Sequence, residues 1–175
     1  MCKQCELKPV YVFTNKRKVC KNCYVQWFQK KFLYTIRKFE MIKNEDEILV
    51  DKNPVLEDLF DMYKKKAPVQ IVQKGKFTKK AVATNSDDIS REYVEAILNG
   101  NVKNLIKLKP VEGKIIKPLY LFLEKEVKIY ADVKNLKLKN KIKKDDISHF
   151  IDELEKKHLE IKNSVVSSYL KIYLG

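Results

Sequence analysis

Cys2, Cys5, Cys20 and Cys23 are the only cysteines in the 175 residues, and they fall as two Cys-x-x-Cys pairs. A two-residue spacer lets both thiolates of a pair face one ion from a tight turn, and two pairs complete a closed tetrahedral site. In a reducing compartment this pattern means metal rather than disulfides. A closed site has no open coordination position, so it holds structure and does not activate water. A redox dithiol or an iron–sulfur cluster would use the same residues. The fourteen-residue gap between the pairs, close to zinc-ribbon spacing, favours one structural Zn2+ and no iron–sulfur cluster. His149 and His158 lie in a charged helical stretch without a base partner at a recognisable spacing, and no catalytic residue is assigned.

The elements that must position the thiols follow from the intervening residues. Val10–Phe13, Thr14–Lys16 and Arg17–Val19 read as strand, turn and returning strand, a hairpin too small to fold without its metal. Tyr24 to Phe39 reads as a helix with Val25, Phe28, Phe32 and Ile36 on one stripe, core residues packed under the hairpin rather than platforms for nucleic-acid bases. From Met1 to Phe39 ten basic residues are opposed only by Glu6. Lys16, Arg17, Lys18, Lys21, Lys30, Lys31, Arg37 and Lys38 are the candidates to meet phosphate.

The whole chain carries 37 Lys and Arg against 23 Asp and Glu, net +14, and a polyanionic partner is the natural reading of that excess. No run approaches the ~18 apolar residues that span a bilayer, and the basic N-terminus leads into no apolar signal region. The expectation is a cytoplasmic protein without a membrane partner. Glu47–Val50 reads as a strand, and Asn53-Pro54 opens a helix to about Tyr63. Pro68–Val72 and Lys80–Thr84 are further strands, so the middle is a small α/β sheet with helices on it. Asn85-Ser86-Asp87-Asp88 caps a helix that Asn99-Gly100 ends, and the last forty residues are helical. The expected organisation is residues 1–40 as zinc ribbon plus basic aromatic helix, 41–136 as the α/β domain, and 137–175 as a basic linker (137–144) with C-terminal helices.

The order of elements resembles the tRNA 2-thiouridine synthases of archaea and the eukaryotic cytosol, a family of PP-loop ATP pyrophosphatases. The resemblance rests on the four-ligand knuckle running into the helix that ends Tyr34-Thr35-Ile36-Arg37-Lys38-Phe39-Glu40-Met41-Ile42, and on Ala83-Thr84-Asn85-Ser86-Asp87-Asp88, similar to the family's Ala-Thr-Gly-His-Asn-x-Asp-Asp. It also rests on Ile116-Lys117-Pro118-Leu119 with Glu124–Ala131, and on the closing helices beginning near Phe150–Glu155. The resemblance implies a reduced PP-loop-like (adenine nucleotide alpha hydrolase-like) sheet, tRNA as partner and Lys117 as a further RNA or phosphate contact.

The departures imply lost chemistry. Asp51-Lys52-Asn53-Pro54-Val55-Leu56 stands where the family places a Ser-Gly-Gly-x-Asp-Ser phosphate loop, so no ATP site is expected. No cysteine follows Cys23 to serve a sulfur relay, about thirty residues replace several βα units between Asp51 and Ala81, and the family's second zinc finger is missing. The reading is therefore a non-catalytic tRNA-binding zinc protein paired with a catalytic thiolation subunit. A tRNA 2-thiolation enzyme with an altered or split active site completed by a partner, and a general zinc-ribbon RNA-binding or ribosome-associated protein, are the alternatives.

Overall fold

The computed structural model describes residues 1–138 and 145–174, so most of the expected basic linker, residues 139–144, lies outside the described residues. The chain opens with β1 (Pro9–Val12) and β2 (Lys18–Cys20), an antiparallel hairpin that leads without a break into α1 (Lys21–Lys38). β3 (Glu47–Val50), α2 (Pro54–Tyr63), β4 (Gln70–Val72) and β5 (Lys79–Ala81) come next, then α3 (Ser86–Leu98). After them come α4 (Val102–Leu105), a 3-10 turn (Ile106–Leu108), β6 (Val111–Glu112), β7 (Ile115–Ile116), α5 (Glu124–Lys134), α6 (Asp146–Lys157) and α7 (Ile161–Leu174).

Five strands form one sheet in the order β4-β3-β5-β7-β6, parallel except for β6. The α/β expectation holds. β4 and β5 lie on opposite sides of β3, joined by a crossover over Gln73–Thr78 that contains no helix. Thr78 fixes its return, its amide donating to Glu47 O at 2.9 Å and its hydroxyl donating to Asp46 Oδ1 at 2.7 Å.

Local sequence explains the helix starts. Asn53 Oδ1 accepts from the amides of Val55 and Leu56, and Pro54 fills the first helical position, where no amide is needed. Asn85 and Asp88 form a reciprocal capping box at α3. The helices sort into two apolar clusters. In one, α1, α2 and α5 bury Phe28, Phe32, Leu59, Phe60 and Tyr130 with Ile48, Ala81 and Ile116 of the sheet; in the other, Ile89, Ala96, Leu105, Leu108, Tyr120, Val166 and Tyr169 pack together.

The core of α1 extends beyond the hairpin. Tyr24 and Trp27 touch the hairpin aromatics, with Tyr11–Tyr24 centroids at 5.1 Å and Phe13–Trp27 at 4.8 Å, whereas Phe28 lies between Phe122 (4.4 Å) and Tyr130 (4.1 Å). Glu126 anchors the same junction, accepting from Lys31 Nζ at 2.7 Å on its carboxylate and from Tyr24 Oη at 2.8 Å on its carbonyl. The helix of the ribbon thus shares one core with the sheet.

Candidate functional site

The four thiols converge. Cys20 ends β2, Cys23 sits in the first turn of α1, and Cys2 and Cys5 flank a tight turn closed by Glu6 N donating to Cys2 O at 2.9 Å, with Glu6 at φ 55°. All four sulfurs lie within 4.8 Å of one another, and Cys5 and Cys23 are 3.3 Å apart. Four ligands at tetrahedral corners around an ion with ~2.3 Å metal–sulfur bonds would sit about 3.8 Å apart, so the set fits a single ion as it stands. Cys2 and Cys20 are buried, Cys23 is half-buried and Cys5 is exposed. Hydrogen bonds from the backbone at Gln4 and then Cys20 hold the Cys2 thiol down to about 6, while the Cys5 side chain and burial push Cys23 up to about 12. A bound cation replaces such shared protons, so metal uptake here releases them.

The expected phosphate contacts divide by placement. Lys16, Arg17 and Lys18 are exposed at the hairpin turn, where Lys16 takes φ 62° and Arg17 lies 4.5 Å over the Phe13 ring. Lys21, Lys30, Arg37 and Lys38 are exposed along α1 beside Tyr34, and the 18 residues of this helix include no acid. Lys31 is turned inward between Glu126 and the rings of Trp27 and Phe122. Lys117 stands apart from them all. It is 6 % exposed, and its ammonium donates to the carbonyls of Lys107 and Lys109, where the 3-10 turn ends. Burial lowers its pKa, opposed by Glu112 and Glu92.

A crevice of about 1250 Å³ opens beside the starts of α2 and α3, lined by Asp87, Asp88, Glu124, Asp132, Asp145 and Asp152 against Lys52, Arg91, Lys128 and Lys162. Its charge is therefore net negative in a chain of +14. Lys162 lies at its wall, held by Asp87 (2.6 Å), Asp152 (2.7 Å) and Glu155 (2.7 Å). Sequence reading missed this cluster because its four members come from three different helices, α3, α6 and α7. It did assign Asp87 and Asp88 to helix capping; Asp88 closes the box at Asn85, and Asp87 also accepts from Glu124 N at 2.7 Å.

The Lys162 cluster carries a pH prediction. Burial works to raise the Glu155 pKa, but Lys125 and Lys162 outweigh it and hold the carboxyl below its ordinary 4.5. A depressed folded-state pKa means stability that is present above 4.5 and is lost as pH falls through the folded value. Asp87 and Asp152 face the same ammonium. Amide exchange in α7, corrected for intrinsic rates, therefore rises as pH falls below 4.5. Glu155→Gln flattens that rise, and an unchanged profile in this variant would remove Glu155 from the account.

The sequence matches no family model. It is 32% identical over 104 residues to the "Probable sulfurtransferase" of Methanocaldococcus jannaschii, a match that takes in 53% of this chain and 30% of that protein's length. Among solved structures it superposes on the U34-tRNA thiolase NcsA from Methanococcus maripaludis, determined with its [4Fe-4S] cluster, at a TM-score of 0.80 and 18% identity over 98% of this chain and 87% of the other. This chain has a tRNA-thiolase-like fold.

The likeness corrects one expectation. Zinc alone, with iron–sulfur excluded, does not stand when a protein of the same fold carries a [4Fe-4S] cluster. Cysteine thiolates are the usual ligands of such clusters, and this chain brings four of them together. The spacing that suggested zinc is a property of the loops, and thiolate chemistry does not separate the two centres. Among the described residues, no helix is long and apolar enough to cross a membrane.

Proposed function

We propose that this chain is a tRNA-binding metalloprotein of the tRNA 2-thiolation family, working in the cytoplasm as a non-catalytic partner of a thiolation enzyme. The observation that carries the reading is the pairing of a thiolase-like fold with an acid-free, solvent-facing α1 mounted on a four-cysteine ribbon. Phosphate contacts position a protein on RNA, and the hairpin turn and α1 offer seven exposed cations for that role. The partner role is supported by the cysteine count. All four thiols are used at the ribbon, which leaves none for a separate sulfur relay.

The test is tRNA binding as a function of salt. Charge reversal at Arg17, Lys18 and Lys21 lowers affinity for tRNA by at least about tenfold at 0.1 M salt and makes the log–log salt dependence shallower by about 2, given a slope of roughly 0.7–0.9 for each phosphate the protein neutralises. Equal affinity for tRNA and for duplex DNA of matched length would replace the tRNA reading with general nucleic-acid binding. Metal analysis and visible absorbance on the same preparation distinguish a single ion from an iron–sulfur cluster.

A further inference from the structure

Between Asp61 and Asp87 the chain contains seven lysines and no acidic residue. The fold spreads this segment along one edge of the sheet: the end of α2, then β4, which among the described residues pairs only with β3, then the crossover to β5. Lys65, Lys66, Lys74 and Lys76 are exposed and make no ion pair among the described residues. The other three are placed differently. Lys64 pairs with Asp61, Lys79 donates to Gly113 O at 3.2 Å, and Lys80 is half-buried in β5.

The tip between Lys74 and Lys76 is shaped by Gly75, whose φ of 102° disfavours a side chain although the space beside it is open. The half-buried Phe77 follows, with Lys114 Nζ 5.9 Å above its ring. Asp46, which meets the crossover at Thr78, is occupied by that hydroxyl and by the amide of Lys43.

Tyr63, the last residue of α2, packs on Phe32 on the buried face of α1 at 6.2 Å, whereas Lys30, Tyr34 and Arg37 are exposed on the other face of that helix, so Lys64–Lys66 belong to a surface separate from the α1 strip. We infer that the β4 edge is a second phosphate-binding surface, through which Lys65, Lys66, Lys74 and Lys76 contact the backbone of the same RNA that α1 and the hairpin turn engage. This rests on the RNA-binding reading above. Four exposed ammoniums flanking the edge strand β4 suit the sugar–phosphate backbone, which is recognised by charge and tolerates any base sequence.

The experiment compares three full-length proteins binding unfractionated tRNA over a range of salt concentrations. They are the wild type; the edge variant, with Lys65→Gln, Lys66→Gln, Lys74→Gln and Lys76→Gln; and a control that loses the same charge at exposed Lys103, Lys107, Lys157 and Lys171. All eight positions are exposed, so the melting temperature should not move and serves as the check on folding. The edge variant is expected to lose at least about tenfold in affinity at 0.1 M salt and about 3 in salt slope, while the control loses less than about threefold. Equal losses in edge variant and control would show that only net charge matters, and would overturn the second surface. An unchanged salt slope in the edge variant would overturn it too. If the wild type itself fails to bind tRNA, the broader reading falls first; if the Arg17, Lys18 and Lys21 variant fails while the edge variant binds normally, only the second surface is lost.

Discussion

Stripping the metal from the cysteine centre is expected to unravel Met1 to Cys20 while α1 and the sheet stay folded. Before α1, the buried hydrophobic residues are only Cys2, Val19 and Cys20, with Tyr11 and Phe13 partly packed. A two-stranded hairpin with so little buried surface is marginal in water, and the metal supplies most of what holds it. α1 stands on other ground, because Tyr24, Phe28, Phe32 and Ile36 belong to the main core. Chelation, or Cys20→Ser, should therefore raise tryptic cleavage at Lys16, Arg17 and Lys18 by at least about tenfold, since cleavage tracks the population of the open form. The unfolding transition of the remainder should shift little. A single cooperative loss of all structure on chelation would show that the ribbon is integral to the global core, and the idea would be abandoned.

Phe28→Ala should produce the largest loss of global stability among single core substitutions on α1. The ring is 0 % exposed, stacked on Tyr130 at 4.1 Å and tilted against Phe122 at 4.4 Å. Removing a buried phenylalanine forfeits its transfer free energy and leaves a cavity, about 3–5 kcal/mol where neighbours cannot collapse. Collapse is limited here because Tyr130 is tied by its hydroxyl to Asp58 Oδ2 at 2.7 Å, and Lys134 holds Asp58 from the other side at 2.9 Å. Denaturant unfolding followed by far-ultraviolet circular dichroism measures the change. A loss under about 1 kcal/mol would mean that α1 is a loosely attached appendage.

The local elements were legible because their signals are local. Asn53-Pro54 and Asn85 with Asp88 announce helix starts by chemistry completed within four residues, and α2 and α3 begin where those residues place them. Glu47–Val50 was equally plain as a strand. β6 was not, since Val111–Glu112 is two residues long and owes its existence to pairing with β7 across the turn at Gly113.

The thiols could be read from spacing alone, whereas the roles of individual lysines could not. Lys31 and Lys30 are neighbours in sequence, yet one is bound to a carboxylate 95 residues away and the other faces solvent. Helical phase separates them, and only the position of α5 decides which side is buried. Lys162 is the extreme case, with carboxylates from α3 and α6 closing around it. The metal's identity was unreadable for a different reason, because the same four thiolates satisfy more than one inorganic centre.

The seating of α1 on Phe122, Glu126 and Tyr130 also constrains the order in which the protein can be made. Sequence separations of about one hundred residues join the first helix to its bed, and such distant contacts are closed late. A chain emerging from the ribosome presents the two cysteine pairs long before α5 exists, so the thiols can capture their metal while the helix beneath them is still unsupported. Maturation would then proceed from both ends of the problem, with the inorganic centre loaded early and the hydrophobic bed completed only after synthesis has passed Lys134.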